Sequence, residues 1–391
     1  MNFRKITAAL LAAVLCVTAA GCSKSAEESG AGEPGTDNVQ TTDEFDTELT
    51  AMQLTADIKI GWNLGNTLDS TGGSGLSQET SWGNPKTTPE LIQAVKDAGF
   101  NAVRIPTTWE RQMDEAGNIS AEWMSRVKEV VDYAYDLDMY VILNMHHEEW
   151  YQPYADKEEE ITEKLKNSWS QIAAAFKDYD QHLIFEGMNE PRWKNTDFEW
   201  NGGNDEGRTV VNHLNKAFVE AVRASGGNNE YRFLMVCPYA ANSTESALAA
   251  MEIPDDDRLI VSVHAYIPYG FALQQPGQDK WVASRPGCTN DIDTLAEVLD
   301  RLFISKGQAV IIGECGAMNR DNENYRADWA EYYFSKFKAL GIPCFWWDNG
   351  AFLSGETFGL FDRQLNQVRY PLLLEGMMKG ASGETAEATA A

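Results

Sequence analysis

The chain has 391 residues with 32 Lys+Arg against 59 Asp+Glu, and its formal charge of −27 makes it a poor partner for nucleic acid or an anionic membrane surface. Charged residues are 23% of the chain and hydrophobic ones 43%, enough for a large core and too apolar for a disordered chain. The length accommodates one large α/β domain or two ordinary ones, and 12 Trp are more than packing alone usually needs.

At the N-terminus, Arg4 and Lys5 precede an apolar run over 6–18, the length of a secretory h-region and too short to span a bilayer. The run ends in Ala19-Ala20-Gly21-Cys22, small residues leading into a cysteine. Residues 1–21 are therefore expected to be a lipoprotein signal peptide, with Cys22 lipidated after cleavage. Ordinary signal cleavage with Cys22 an incidental thiol is the alternative. Residues 22–50 are rich in Ser, Glu, Asp, Gly and Thr, with almost no large apolar side chains, and read as an acidic flexible tether. Residues 380–391 read as a disordered tail. Export with a lipid anchor would place the remainder outside the cell, touching membrane only through the lipid. Cys237, Cys288, Cys315 and Cys344 show no CxxC or His/Cys cluster that would suggest zinc.

Between 51 and 379, eight short apolar segments alternate with helix-like stretches. They cover 58–63, 101–105, 140–145, 183–188, 232–236, 259–263, 309–312 and 343–347. Trp123, Val127, Val130, Val131 and Ala134 share one helical face, as do Ile161, Leu165, Trp169, Ile172 and Phe176. Thr88-Pro89-Glu90 is a helix start, and Gly99 and Gly341 stand where C′ glycines belong. Eight strand–helix repeats predict a single α/β domain, a (β/α)8 TIM barrel. An open doubly wound sheet would need a phosphate-cradling loop after its first strand. Gly61-Trp62-Asn63-Leu64-Gly65-Asn66 is too bulky for one, and no GxxxxGK[ST] occurs.

Such barrels carry function at the C-terminal ends of the strands. Here those ends supply Asn63, Arg104, His146 and His147, Asn189 and Glu190, Tyr239, His264 and Tyr266, Glu314, and Trp347 and Asp348. Glu190 stands beside an amide and before Pro191, as suits a group that exchanges protons with a substrate oxygen; a helix-capping Glu is the competing reading. Glu314 closes the apolar run Val310-Ile311-Ile312-Gly313. Two glutamates from non-neighbouring strands at one barrel mouth are the pair used in glycoside hydrolysis.

The motifs Gly61-Trp62-Asn63-Leu64-Gly65-Asn66, Val103-Arg104-Ile105-Pro106, His146-His147, Asn189-Glu190-Pro191, His264-Ala265-Tyr266, Gly313-Glu314 and Trp346-Trp347-Asp348-Asn349-Gly350 occur in the order seen in glycoside hydrolase family 5. The resemblance runs over about 51–379. It implies a retaining (β/α)8 hydrolase with Glu190 as acid/base and Glu314 as nucleophile. The segment around Trp82 and the terminal Trp-Trp-Asp-Asn-Gly resemble its bacterial endo-β-1,4-glucanases. Cys315 departs from the Phe or Tyr common after the nucleophile, a change that should alter packing more than chemistry.

On this resemblance Arg104 and Tyr266 are expected to donate to Glu314, while burial and the Glu314 charge raise the pKa of Glu190. Asn189 would bind the sugar 2-hydroxyl, and His146 and His264 would position the nucleophile and the −1 sugar. Asn63, His147, Trp82, Trp347 and Asp348 complete the expected supporting set. The expected partner is a β-glucan polysaccharide, acted on by a monomer without cofactor. No metal is expected, because neighbouring strand residues point to opposite sides and His146 and His147 would not both face one ion. Trp123, Trp169 and Trp329 fit helix faces and the core. Trp82, Trp109, Trp150, Trp193, Trp200, Trp281 and Trp347 lie on or beside rim loops and are candidates to stack on sugars. Xyloglucan, mixed-linkage glucan, mannan or xylan stay open as polymers, as does a non-catalytic glycan-binding lipoprotein.

Overall fold

Each of the eight apolar segments becomes a parallel strand in the computed structural model, which describes residues 45–383. The signal peptide, Cys22 and most of the expected tether lie outside the described residues. In chain order the strands are β1 (Gly61–Leu64), β2 (Ala102–Ile105), β3 (Tyr140–Asn144), β4 (Leu183–Glu186), β5 (Leu234–Val236), β6 (Leu259–His264), β7 (Ala309–Cys315) and β8 (Cys344–Asp348). They pair in sequential order, and β8 closes onto β1 through Trp62↔Trp346 and Asn63↔Trp347.

The helices follow the expected faces. An N-terminal helix α1 (Ala51–Asp57) precedes β1. Then α2 (Pro89–Asp97), α3 (Ala121–Tyr135), α4 (Glu158–Ala175) and α5 (Asp205–Arg223) follow β1 to β4. After β5 comes short α6 (Glu245–Ala249); α7 (Tyr269–Ala272) and α8 (Asn290–Leu302) follow β6, α9 (Glu323–Lys338) follows β7 and α10 (Pro371–Ser382) follows β8. Thr88 caps α2 by accepting from the Leu91 amide, with Pro89 in the first turn. Gly99 and Gly341 take left-handed φ of 106° and 72° just past α2 and α9, a conformation a Cβ would disfavour.

Strand alternation divides the core in two. Val103, Val141, Leu143, Leu183, Phe185, Val261, Val310 and Ile312 point outward into the layer packed by the helices. Ala102, Ile142, Ile184, Met235, Ile260 and Ile311 point inward and form the barrel floor, plugged from below by Leu54 and Ile58 of α1 and its C-cap. Both plugging side chains are fully buried, and each contributes on the order of 1.5–3 kcal/mol by leaving water.

The domain is longer at both ends than the sequence pattern indicates. Residues 45–50 are not tether: Phe45 is buried and stacks on Phe233, Thr50 caps α1, and Arg258 donates to the Leu49 carbonyl at 2.9 Å. Phe45, the Thr50 cap and the Arg258 hydrogen bonds together dock this stretch on the barrel base. Residues 380–382 likewise complete α10, where Gly380 lies so close to α9 that a Cβ would meet the Glu331 carbonyl at 2.6 Å. A hairpin of β9 (Phe361–Asp362) and β10 (Gln367–Val368) carries no sequence signal strong enough to forecast. No described helix is long and apolar enough to cross a membrane.

Candidate active site

One step above the apolar floor, the same inward-facing positions change character. Arg104 follows Ala102, Asn144 follows Ile142, Glu186 follows Ile184 and Ser262 follows Ile260, and all four polar side chains are fully buried. Arg104 is the hub. Its guanidinium donates to Glu186 Oε2 at 2.7 Å, Glu314 Oε1 at 2.7 Å, Asn63 Oδ1 at 3.0 Å and Asn189 Oδ1 at 2.6 Å. Burial pulls its pKa down, but the Glu186 and Glu314 charges outweigh that and raise it above the ordinary Arg value, so the cation is held firmly. Glu186 is further tied by Ser262 Oγ at 2.5 Å and Asn144 Nδ2 at 3.0 Å. A buried cation with two carboxylates leaves one net negative charge at this level, and charge-assisted bonds fix where it sits.

Glu314 reaches this layer through an irregularity. Ala309 and Ile311 face inward while Val310 and Ile312 face outward, so strict alternation would send residue 314 out. The register shifts against both neighbouring strands, at Val263/His264 and at Ile312/Cys315, and the bulge turns the carboxylate inward. Gly313 allows it, since a Cβ there would press on Ser262 Oγ at 3.1 Å and His264 Nε2 at 3.3 Å. The second Glu314 oxygen accepts from the Tyr266 hydroxyl at 2.8 Å, so both expected donors are in place.

Glu190 stands past the end of β4. Its carboxylate meets His264 Nδ1 at 2.9 Å and Arg192 at 3.4 Å, and His264 Nδ1 is also 3.7 Å from Glu314. Carboxylate oxygens of Glu190 and Glu314 lie within 4.8 Å of one another, with His264 between them. Burial pushes the Glu190 carboxyl up, as expected. The His264 hydrogen bond and charge, with Arg192 and His147, overcome it and hold the group below the ordinary Glu range. That reverses the expected direction, because the positive neighbours, His264 and Arg192, outweigh burial and the negative charge of Glu314. Burial pushes His264 down, but Glu314 and Glu190 bring it above the usual His value. The dissociable proton therefore belongs to the Glu190–His264 unit.

Around this pair opens a cleft of about 1200 Å³. Its walls include Trp82, His146, His147, Asn189, Glu190, His264, Tyr266, Glu314 and Trp347 from the expected set. His146 accepts from Asn144 Nδ2 at 3.0 Å on Nδ1, which leaves Nε2–H free toward the cleft, and its ring lies parallel to Trp347 at 5.8 Å. Burial and the neighbouring His147 and Arg104 hold His146 well below its normal pKa, hence neutral. Burial likewise pushes His147 down to about 4.

Asn63 and Asp348 do not reach the cleft. Asn63 sits behind Arg104, anchored to the Gly313 carbonyl at 2.9 Å. Asp348 is fully buried and accepts from Trp62 Nε1, Leu360 N and Phe361 N, which ties the last strand to the segment that follows it. Both act as positioning groups. Tyr239 is also buried, its hydroxyl accepting from the Trp193 amide.

The rim tryptophans divide. Trp82, Trp200 and Trp347 line the cleft, the first two being 42% and 54% exposed. Trp109 and Trp281 are buried and donate to the carbonyls of Asn144 and Cys288. Trp150 bonds Glu148 and Trp193 bonds the Pro153 carbonyl, both away from the cleft wall. Trp123, Trp169 and Trp329 are core, as expected.

His146 and His147 do face the same space, because β3 ends at Asn144 and alternation ends with it. With Asp69 they offer ligand-type atoms within 4.8 Å, as do Glu190, His264 and Glu314. Several of these atoms already have partners: Asp69 takes the Asn66 and Thr67 amides, His146 Nδ1 takes Asn144, and His264 Nδ1 takes Glu190, while His264 Nε2 is buried without one. Sequence reasoning passed over Arg192 and Glu356. Arg192 was signalled by a cation two residues from a candidate acid; Glu356 sits in a loop without pattern and joins the cleft only in three dimensions.

Chemically, the centre presents a carboxylate held by two donors, facing a second carboxyl that shares a proton with an imidazole. The first can attack an electrophilic carbon while the second delivers a proton to a leaving oxygen. The Cellulase profile of glycosyl hydrolase family 5 matches residues 64–353. Endoglucanase B of Ruminococcus albus is 45% identical over 377 residues, spanning 95% of this chain and 89% of that protein. A broad-specificity endoglucanase of subfamily GH5-4 from Ruminococcus champanellensis, solved with cellotriose, is 45% identical and superposes with a TM-score of 0.82, covering 85% of this chain and 99% of that one. A family 5 xyloglucan-specific endo-β-1,4-glucanase from a metagenomic library, also with cellotriose, is 43% identical with a TM-score of 0.82, covering 84% and 98%.

Proposed function

The chain belongs to glycosyl hydrolase family 5, and from that premise we propose that it is a retaining endo-β-1,4-glucanase that cuts internal bonds of cellulose-type β-glucan by double displacement. It is a glycoside hydrolase of the endoglucanase, or cellulase, type. The observation that carries the finer reading is the carboxylate pair, whose oxygens lie within 4.8 Å. Retaining enzymes hold their carboxyls about 5–5.5 Å apart, whereas inverting enzymes need about 6.5–9.5 Å to seat a water between them.

Glu314 attacks the anomeric carbon as the proton shared by Glu190 and His264 passes through the Glu190 carboxyl to the departing glycosidic oxygen, giving a glycosyl ester of Glu314 and a free chain end. Esterification removes the Glu314 charge. Glu190, now ionised and flanked by His264 and Arg192, takes a proton from water, and that water displaces Glu314 from the same face the leaving group occupied. Asn189 has its carbonyl oxygen committed to Arg104, so its amide N–H groups are turned to the cleft, where they suit the 2-hydroxyl of the −1 sugar. The neutral His146 offers its Nε2–H to the same sugar, with Trp347 beside it. Trp82 and Trp200, the exposed indoles of the cleft, suit stacking on further sugars, as a polymer substrate requires.

Glu314→Gln should lower kcat on soluble β-glucan by roughly 10⁴-fold or more. Glu190→Ala should lose roughly 10²–10⁴-fold on the polymer yet keep activity on a dinitrophenyl cellobioside and recover with azide. Unchanged polymer hydrolysis by Glu190→Ala would remove the assignment. Xyloglucan is a second candidate polymer, supported by the 43% identical xyloglucan-specific relative; side-by-side rates on cellulose, xyloglucan and mannan separate the two.

The N-terminal pattern from Arg4 to Cys22 supports an exported, lipid-anchored enzyme with its catalytic domain outside the cell. Cys22→Ala should release the enzyme from the membrane fraction; retention there counts against the anchor.

A further inference from the structure

Arg192 lies two residues past Glu190 and serves three partners. Its Nη1 donates to the Glu190 carbonyl at 2.9 Å and approaches Glu190 Oε2 at 3.4 Å. Its Nε contacts Glu199 Oε1 at 3.2 Å, and Glu199 in turn accepts from the Asn195 amide at 2.8 Å. The guanidinium lies 4.0 Å over the Trp200 ring, which is 54% exposed and lines the cleft together with Glu190. One planar cation thus touches the proposed proton donor on its edge and a cleft-lining indole on its face. Lysine has no plane to do both.

We propose that Arg192 is a positioning residue that fixes the orientation and proton affinity of Glu190 while backing Trp200 as a sugar platform, so that polymer binding and proton delivery share one support. The proposal rests on Glu190 being the acid/base. Around Glu190 stand His264 from β6, Glu314 and Tyr266 from the loops and strand ends of β6 and β7, His147 from the loop after β3 and Glu356 from the loop after β8. Tyr151 and Cys237 lie farther back and feel the same carboxylate. Arg104 is a second fixed cation here but is bonded to Glu314 and Asn189, whereas Arg192 reaches the Glu190 carboxylate itself. Removing Arg192 leaves Glu190 with less positive charge beside it, and the Glu190–His264 unit must hold its proton to higher pH.

The test is the pH profile of kcat/KM on a soluble neutral β-glucan, whose leaving group needs protonation. Arg192→Gln is expected to move the alkaline limb up by about one pH unit and to raise KM by about fivefold through the loosened Trp200. Arg192→Lys is expected to return the limb toward wild type, because the charge is back, while leaving KM raised. On dinitrophenyl cellobioside, which leaves without a proton, the limb shift should vanish. Equal loss at every pH with the limb unmoved in Arg192→Gln, or a limb in Arg192→Lys that stays where Arg192→Gln puts it, would overturn the proposal and make Arg192 loop scaffolding. Azide rescue of Glu190→Ala is read separately, so failure of the acid/base assignment is distinguishable from failure of this inference.

Discussion

The floor and the upper layer of this barrel are built from the same strands, on the same face, two residues apart, and they share almost nothing chemically. Below, Ala102, Ile142, Ile184 and Ile260 fill the interior with apolar volume and are sealed by α1. Above, Arg104, Asn144, Glu186 and Ser262 occupy the next inward positions and form one hydrogen-bonded charge network. The lower layer gains free energy by burial. The upper layer spends some of it, since two carboxylates and a guanidinium leave water and keep their charges only because each answers another. Stability and chemistry are thus separated along the strand axis, and a substitution should reveal its layer by which property it damages.

The largest expected effect is at the hub. Arg104→Met leaves Glu186 and Glu314 buried without their cation, which should cost about 3–5 kcal/mol of stability and also nearly abolish turnover in whatever enzyme remains folded. Denaturant melts and active-site-normalised kcat measure the two losses. In the floor, Leu54→Ala should cost about 2–5 kcal/mol with kcat close to wild type below the melting transition. A large kcat loss from Leu54→Ala, or normal kcat from Arg104→Met, would break the separation between the layers. The smallest effect sharpens it: Asn63→Ala removes one of four acceptors of Arg104 from behind the cleft, and should reduce kcat by roughly tenfold or less while KM is unchanged.

Much of this was legible in the sequence, and the reasons differ by element. The strands announced themselves because each is a short, mostly apolar run, and the helices because their faces keep a 3.6-residue period. Glu190 and Glu314 were visible as carboxylates where apolar runs stop. What hid was whatever alternation no longer governs. Past Asn144 the chain leaves the strand, so the prediction that His146 and His147 face opposite sides failed, and the bulge at Gly313 that turns Glu314 inward has no pattern of its own. The rim indoles hid for a related reason: a Trp in a loop can turn its ring to solvent, as Trp82 does, or fold it beneath the loop to donate to a carbonyl, as Trp109 and Trp281 do. Phe45 was lost among acids, although its ring helps dock that segment on the barrel base.

The central claim is that Glu314 and Glu190 act as a nucleophile and acid/base pair spaced for direct attack, and the stereochemistry of the first product reports on it most directly. Proton NMR of cello-oligosaccharide hydrolysis at early times should show the β-anomer accumulating first, followed by slow mutarotation. Initial appearance of the α-anomer would mean inversion through a water and would contradict the account.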